Sequence, residues 1–210
     1  MPRAMIASLA VLGLSTGAAL ADSVDIQGVV GSSTEQTGAT YSGSLEYNFI
    51  GGSTGELKVS LTNDTPASVG GFLTGFLFRA DAVTGTGLSS ANPSEFLHTG
   101  SESGAPFGTF DGGAALNGSF LGGGNPSDGL AVGESGMFMF SITSATASTI
   151  SAADFLGSLN EPGFLVRFRG LTGGGSDKVP GGGFEVVVPL PGAGALAAAG
   201  LAFVGLRRRR

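Results

Sequence analysis

The chain has 210 residues, among them 39 glycines, no cysteine and a single histidine. All sixteen acidic residues but only five of the ten basic ones lie between residues 22 and 187, so this part carries a net charge of −11 against −6 for the whole chain. Such an acidic surface repels phosphate, which argues against nucleic acid as a partner. The absence of cysteine excludes disulfides, thiol catalysis and thiolate metal sites.

The N-terminus has the pattern of a secretory signal peptide. Arg3 precedes an apolar run from Ala4 to Leu14, and small residues with Ala19 and Ala21 precede the polar sequence that starts at Asp22. The apolar run is too short to cross a bilayer, which takes about 20 residues. We therefore expect residues 1–21 to be a signal peptide that is cleaved after Ala21, rather than a buried N-terminal helix.

Between the two ends, alternating patterns predict an all-β domain over residues 22–187. Two segments, 44–50 and 57–62, alternate polar and apolar residues on either side of a glycine-rich turn and predict a β-hairpin. Asn63 to Pro66 then predict a turn. Segments 72–79 and 137–142 are apolar on both faces, which predicts strands covered on both sides. Further strands are expected at 164–169, 184–188, 24–30, 107–110 and 116–121.

One short helix is expected where Ser151 precedes Ala152, Ala153 and Asp154, a sequence close to a capping box, with apolar residues continuing to Leu159. Eight or nine short strands with turn signals between them predict an antiparallel β-sandwich or a jelly-roll-like fold.

The C-terminal 23 residues form a second signal. Val188, Pro189, Leu190 and Pro191 precede the uncharged segment 192–206, and Arg207, Arg208, Arg209 and Arg210 close the chain. At 1.5 Å per residue the uncharged segment is about 22 Å long, and residues from 186 onward would extend it to about the thickness of a bilayer core. The arginines favour a cytoplasmic end. A buried helix with a charged tail is the alternative interpretation.

This tail resembles the PEP-CTERM class of sorting signals, in its VPLPA form, although Gly192 stands where that form has alanine. The resemblance implies export by a Gram-negative bacterium and recognition by an exosortase, a membrane cysteine protease that cuts near the proline motif. It also implies transient residence in the inner membrane, then the cell surface or the extracellular space, often alongside exopolysaccharide. Segment 130–175 also resembles domains that precede such tails, most of which have no known activity.

No motif points to catalysis. His98 is the only candidate for a triad base, and its sequence context has no nucleophile pattern. Residues 22–187 contain no tryptophan and only two tyrosines, Tyr41 and Tyr47, so aromatic platforms for sugars are scarce. Tyr47 lies on the apolar face of its predicted strand and is expected in the core. Paired acids for glycoside hydrolysis cannot be singled out among sixteen carboxylates.

Calcium is the one cofactor that the sequence leaves open, because hard cations take oxygen ligands. Asp128 and Asp177 lead the candidate carboxylates, each in a turn rich in glycine and polar residues. The sequence thus predicts an exported, non-catalytic protein with a structural or interaction role. The alternative is a module that binds exopolysaccharide, with or without calcium.

Overall fold

The computed structural model describes residues 22–158 and 161–184. They form an all-β, sandwich-like fold with fourteen strands: β1 (Asp22–Gly28), β2 (Tyr41–Gly51), β3 (Thr54–Asn63), β4 (Gly70–Phe78), β5 (Gly85–Asn92), β6 (Phe96–His98), β7 (Glu102–Ser103), β8 (Thr109–Phe110), β9 (Gly112–Leu116), β10 (Ser135–Thr143), β11 (Gly157–Ser158), β12 (Glu161–Pro162), β13 (Phe164–Leu171) and β14 (Ser176–Phe184).

Ten of these strands make one antiparallel sheet in the order β5-β10-β3-β2-β1-β14-β13-β4-β9-β6. The sheet curls until edge strand β5 contacts β6 and β9 at the opposite edge. The remaining strands form two small ladders, β7 with β8 and β11 with β12. Closing a sheet in this way reduces the length of unpaired edge that the fold exposes to solvent.

The inside of the curled sheet is filled mainly by phenylalanine rings. Phe76 lies 4.8 Å from Phe138 and 5.7 Å from Phe164 between ring centroids, and Phe78 lies 4.8 Å from Phe140. All five side chains are fully buried. Edge-to-face and offset contacts at these distances add stabilisation beyond the buried area. These rings come from β4, β10 and β13, so the core joins strands from both halves of the sheet.

The predicted hairpin is confirmed as β2 and β3, with Glu46 opposite Lys58 on its polar face. The turn after β3 also follows the prediction, because the Asn63 side chain accepts a hydrogen bond from the Thr65 backbone N–H at 3.1 Å. The segments at 72–79, 164–169 and 24–30 correspond to β4, β13 and β1. Tyr47 is 3% exposed and lies in the core, as expected.

Four predictions about strands and the helix need correction. Segment 137–142 forms β10, but one face is open to solvent and Met137 is 46% exposed. Segment 116–121 is mostly a turn, with Asn117 and Gly118 at positive φ. Of segment 107–110, only Thr109 and Phe110 form a strand. The expected helix is a single 3-10 turn, Ala152–Phe155, and Gly157 already begins β11.

The predicted strand 184–188 lies outside the described residues except for Phe184, which ends β14. Sequence patterns did not predict most of β14, nor β5, β6 and β9, which are short or rich in small residues. The helices within the described residues are four 3-10 turns at 30–32, 126–128, 147–149 and 152–155.

Candidate functional surfaces

The predicted processing residues lie outside the described part of the chain. They are the signal-cleavage positions Ala19 and Ala21, the motif Val188 to Pro191 and the terminal Arg207 to Arg210. Within residues 22–158 and 161–184, the structure contains no helix long and apolar enough to cross a membrane. The described chain begins in β1 and ends in β14, and these neighbouring strands pair with Asp25 opposite Phe184. Both ends therefore leave the same end of the sheet.

His98 connects the two edges of the curled sheet. Its Nε2 lies 3.0 Å from Oγ1 of Thr86, so a β6 side chain contacts a β5 side chain. The Thr86 hydroxyl donates to the backbone oxygen of Asp111 at 3.2 Å, which leaves the imidazole to donate to Thr86. Partial burial lowers the pKa of His98. These contacts give His98 a structural role where edge strands β5 and β6 meet.

Asp177 is fully buried and its carboxylate holds a loop. One oxygen accepts from the Thr34 hydroxyl and the Glu35 N–H at 3.0 Å each, and the other accepts from the Thr37 N–H at 3.1 Å and its hydroxyl at 2.7 Å. Burial alone would raise the pKa of Asp177, but these hydrogen bonds outweigh it and the pKa lies below its ordinary value. A calcium ion would have to displace these four donors.

Asp128, the other candidate for calcium, lies exposed at the end of the 3-10 turn 126–128. The two carboxylates are not brought together by any contact in the structure's described part. Among those residues there is no group of three or more acidic, histidine or cysteine side chains placed to hold a metal ion. Calcium binding at these positions stays a prediction.

A shallow groove of about 650 Å³ runs across the outer face of β1, β2, β3 and β10. We call it the hydroxyl groove, and its polar lining residues are Ser42, Ser44, Ser60, Thr62, Ser135, Gln27 and Asp25. The hydroxyls stand opposite one another on adjacent strands: Ser44 pairs with Ser60, and Ser42 with Thr62. Hydroxyl groups both donate and accept hydrogen bonds, so such rows suit a polyhydroxylated ligand.

A second cavity, of about 580 Å³, opens at the end of the sheet where the described chain begins and ends. Its charged lining residues are Arg79, Asp81, Asp154 and Glu161. Two of the acids already have structural contacts. Asp154 accepts a hydrogen bond from the Ser151 backbone N–H at 2.8 Å, and Glu161 lies 3.8 Å from Arg79. The cavity is thus lined by both positive and negative side chains, and two of its acids are already engaged in contacts with neighbouring residues.

The outer face of β4, β13 and β14 is covered by two loops on either side of β9, residues 99–111 and 117–125, which we call the flap. Phe110 and Phe120 of the flap pack on Leu77 of β4 and Leu165 of β13, and each of these side chains is at most 1% exposed. Glu102 joins the two loops by accepting from the Phe120 N–H at 2.9 Å. Sequence reasoning missed this cluster because it predicted strands at 107–110 and 116–121. Phenylalanines in a glycine-rich stretch were the signal that could have indicated a buried loop.

Four cations hold the flap through its backbone carbonyls. Arg79 donates to the oxygen of Thr109 at 3.3 Å, and its guanidinium lies 5.1 Å from the centroid of the Phe110 ring. Arg167 donates to Phe120, Arg169 to Gly123 and Gly124, and Lys178 to Ala105. The sequence predicted no role for these four cations, whereas the structure places them beneath or beside the flap.

No family model matches the chain, and no curated protein or solved structure matches it significantly.

Proposed function

We propose that the chain is an exported protein that an exosortase-type membrane protease sorts and processes, and that its β domain has a non-catalytic structural or interaction role. The observation that carries the proposal is the C-terminal pattern, in which Val188 to Pro191 precede an uncharged segment and four arginines. The signal-peptide pattern before Asp22 supports it. In this proposal the tail holds the protein in the inner membrane until cleavage, after which the domain reaches the cell surface or the medium.

Two features of the described residues are consistent with such a display role. Both ends of the domain leave the sheet at one end, so a tail in the membrane would leave the opposite end pointing outward. The interior is packed with phenylalanine rings, which gives a stable body without any disulfide.

The intact mass of the protein, recovered separately from the native envelope and medium, tests the proposal. We expect a chain that begins at Asp22 and ends near Pro189 or Pro191. A mass that retains Arg207 to Arg210 in every fraction would contradict exosortase processing. As a matched variant, replacement of the four arginines by glutamine should leave cleavage incomplete, whereas replacement of Arg167 by glutamine should not affect it.

A second candidate function is binding of exopolysaccharide, which the hydroxyl groove favours. Its paired hydroxyls lie on neighbouring strands about 4.8 Å apart, a spacing at which several can contact one extended sugar chain. Among the described residues no aromatic side chain lines the groove, so hydrogen bonds rather than ring stacking would carry the recognition, and the affinity would depend on chain length.

Glycan-array binding of the full chain tests this second function. We expect long neutral glycans to be retained and short ones to be lost, and binding to weaken when Ser44 and Ser60 are both replaced by alanine. A matched control replaces Ser89 and Ser141, which lie on the β5–β10 side of the sheet. Loss of binding on adding a chelator would show that calcium assists, while no retention at any calcium level would reject the glycan function.

A further inference from the structure

The outer face of β13 and β14 concentrates positive charge in an otherwise acidic domain. Arg167 and Arg169 project from the same face of β13, and Lys178 of β14 stands directly opposite Arg167. These are three of only five cations between residues 22 and 187, a part whose net charge is −11. We call them the basic cluster. Solubility does not explain it, because spreading the charges would serve solubility equally well.

The basic cluster is held by neutral groups. Each of its three cations donates to a backbone carbonyl of the flap, and carbonyls carry no formal charge. The ion pairs seen among the described residues, Lys58 with Glu46 and Arg79 with Glu161, do not include a member of the cluster. In addition, the Nε of Arg167 is buried and makes no hydrogen bond within the described structure. A buried, unpaired donor on a cation costs free energy that a suitable acceptor would recover.

Two carboxylates face the cluster at longer range. The negative charge of Glu102 works to raise the pKa of Arg167, and that of Glu35 works to raise the pKa of Lys178. Glu102 is already engaged by backbone N–H groups of the flap at Phe120 and Leu121. Burial lowers the pKa of both Arg167 and Lys178, and so does a neighbouring positive charge, that of Arg169 for Arg167 and that of Arg167 for Lys178. Arg167 and Lys178 are thus each influenced by one neighbouring cation and one carboxylate.

We propose that the basic cluster binds an oxyanion, namely the carboxylate or sulfate group of an acidic ligand. Arginine presents a planar fork of donors that matches such a group, and lysine adds a compact positive charge beside it. A charged acceptor makes stronger hydrogen bonds with these cations than a neutral carbonyl does. The oxyanion therefore competes with the flap carbonyls of Gly123 and Gly124 for Arg169, and binding loosens residues 117–125.

This site lies on the outer face of the other half of the sheet from the hydroxyl groove and selects a different kind of ligand. The groove offers hydroxyls for a neutral chain, whereas the basic cluster requires a negative charge. The proposal goes beyond the sorting role and does not depend on it, because the contacts that carry it lie wholly within β13, β14 and the flap. Failure of exosortase processing would leave it untouched.

Isothermal titration calorimetry on the full chain in a neutral detergent tests the proposal with three probes: sodium sulfate, polygalacturonate and uncharged dextran. We expect saturable binding of sulfate or polygalacturonate and none of dextran at this site. Replacing Arg169 by glutamine should weaken binding by about tenfold or more, the factor that corresponds to one charge-assisted hydrogen bond. Lys178→Gln serves as a second variant if Arg169→Gln disturbs folding, which thermal denaturation would reveal.

The matched control is Lys58→Gln, which removes the same charge from the hydroxyl-groove side of the sheet. It should change the affinity by less than about twofold, because surface charges beyond a Debye length are screened. Binding of sulfate alone would identify a small-ion site, and binding of polygalacturonate alone would identify a site for polymer-borne groups; both support the proposal. Binding of neither probe, or equal weakening by Lys58→Gln and Arg169→Gln, would overturn it.

Discussion

The outer face of one half of the sheet is exposed to solvent, whereas the outer face of the other half is covered by the flap. Over β1, β2, β3 and β10 the outer face is open and polar, with rows of serine and threonine in the hydroxyl groove. Over β4, β13 and β14 the flap seals a second apolar cluster and hydrogen-bonds to four cations. The inner faces of both halves share one phenylalanine-rich core. The comparison teaches that stability on the open side comes from one face of the strands, and on the covered side from both.

The largest expected effect is the loss of stability when a buried side chain of the covered outer face is truncated, compared with a side chain of the open outer face. Replacing Phe110 by alanine removes a fully buried ring from the flap cluster and should lower the free energy of unfolding by about 3–4 kcal/mol. The matched change on the open face, Met137→Ala, removes a side chain that is 46% exposed and should cost less than about 1 kcal/mol. Urea denaturation measures both values, and similar losses would show that the flap cluster adds little.

The second prediction concerns the carboxylate that anchors the loop beside β14. Replacing Asp177 by asparagine removes charge-assisted hydrogen bonds to Thr34, Glu35 and Thr37 and should cost about 2–3 kcal/mol at pH 7. Because folding lowers the pKa of Asp177, its stabilising effect is present above an unfolded pKa of about 4 and is lost as the pH falls through the folded value.

Urea denaturation of both proteins at several pH values between 7 and 2 checks this. The difference in unfolding free energy between Asp177 and its asparagine variant should shrink only below about pH 4. A constant difference across the range would mean that the ionised carboxylate contributes nothing specific. Asp128→Asn is the control, since Asp128 is exposed and its replacement should be nearly neutral.

The third prediction sharpens the comparison by opening the covered side alone. Arg167→Gln removes the donor to the Phe120 carbonyl. We expect the free energy of opening the flap to fall by about 1–2 kcal/mol, so that the flap opens more often. Amide hydrogen exchange followed by mass spectrometry should show roughly tenfold faster exchange in residues 117–125 and unchanged exchange in the β2–β3 hairpin. Faster exchange spread evenly over both regions would contradict a locally held flap.

The smallest effect is expected for the ion pair on the open face. Lys58 and Glu46 lie 2.8 Å apart, with about a third of each side chain exposed. Their contribution should be below about 1 kcal/mol and should fall further in 1 M salt. A double-mutant cycle with Lys58→Ala and Glu46→Ala at low and high salt measures it. A coupling that salt does not change would place the pair in a less solvated setting than its exposure indicates.

Prediction from sequence succeeded where a single strand could be recognised from the alternation of polar and apolar residues along it. Tyr47 and Leu57 face inward while Glu46 and Lys58 face outward, which is visible without knowing any partner strand. It failed for β14 because Pro180 and three glycines hide the strand. Gly181 is needed there, since a Cβ atom would lie 2.7 Å from the hydroxyl oxygen of Tyr41.

The same reason explains β9, whose small residues gave no strand signal. A Cβ atom at Gly113 would lie 2.1 Å from the Phe76 backbone oxygen, and one at Gly75 would lie 2.7 Å from the Ala115 Cβ atom. These close approaches between β4 and β9 exist only after the sheet has formed. For the candidate surfaces, the sequence singled out Asp177 but not its role, because the four donors come from residues some 140 positions away.

By itself the sequence determined the all-β class, the central hairpin and the strands of the phenylalanine core, because these depend on alternation within single segments. Its ends also determined the proposals on export and sorting, which rest on local composition. Only the tertiary structure decided which outer face is covered, that Arg167, Arg169 and Lys178 meet beneath the flap, and that serines from four strands form one groove. The physical reason is that strand order and loop placement are set by long-range packing, which no short window of sequence contains.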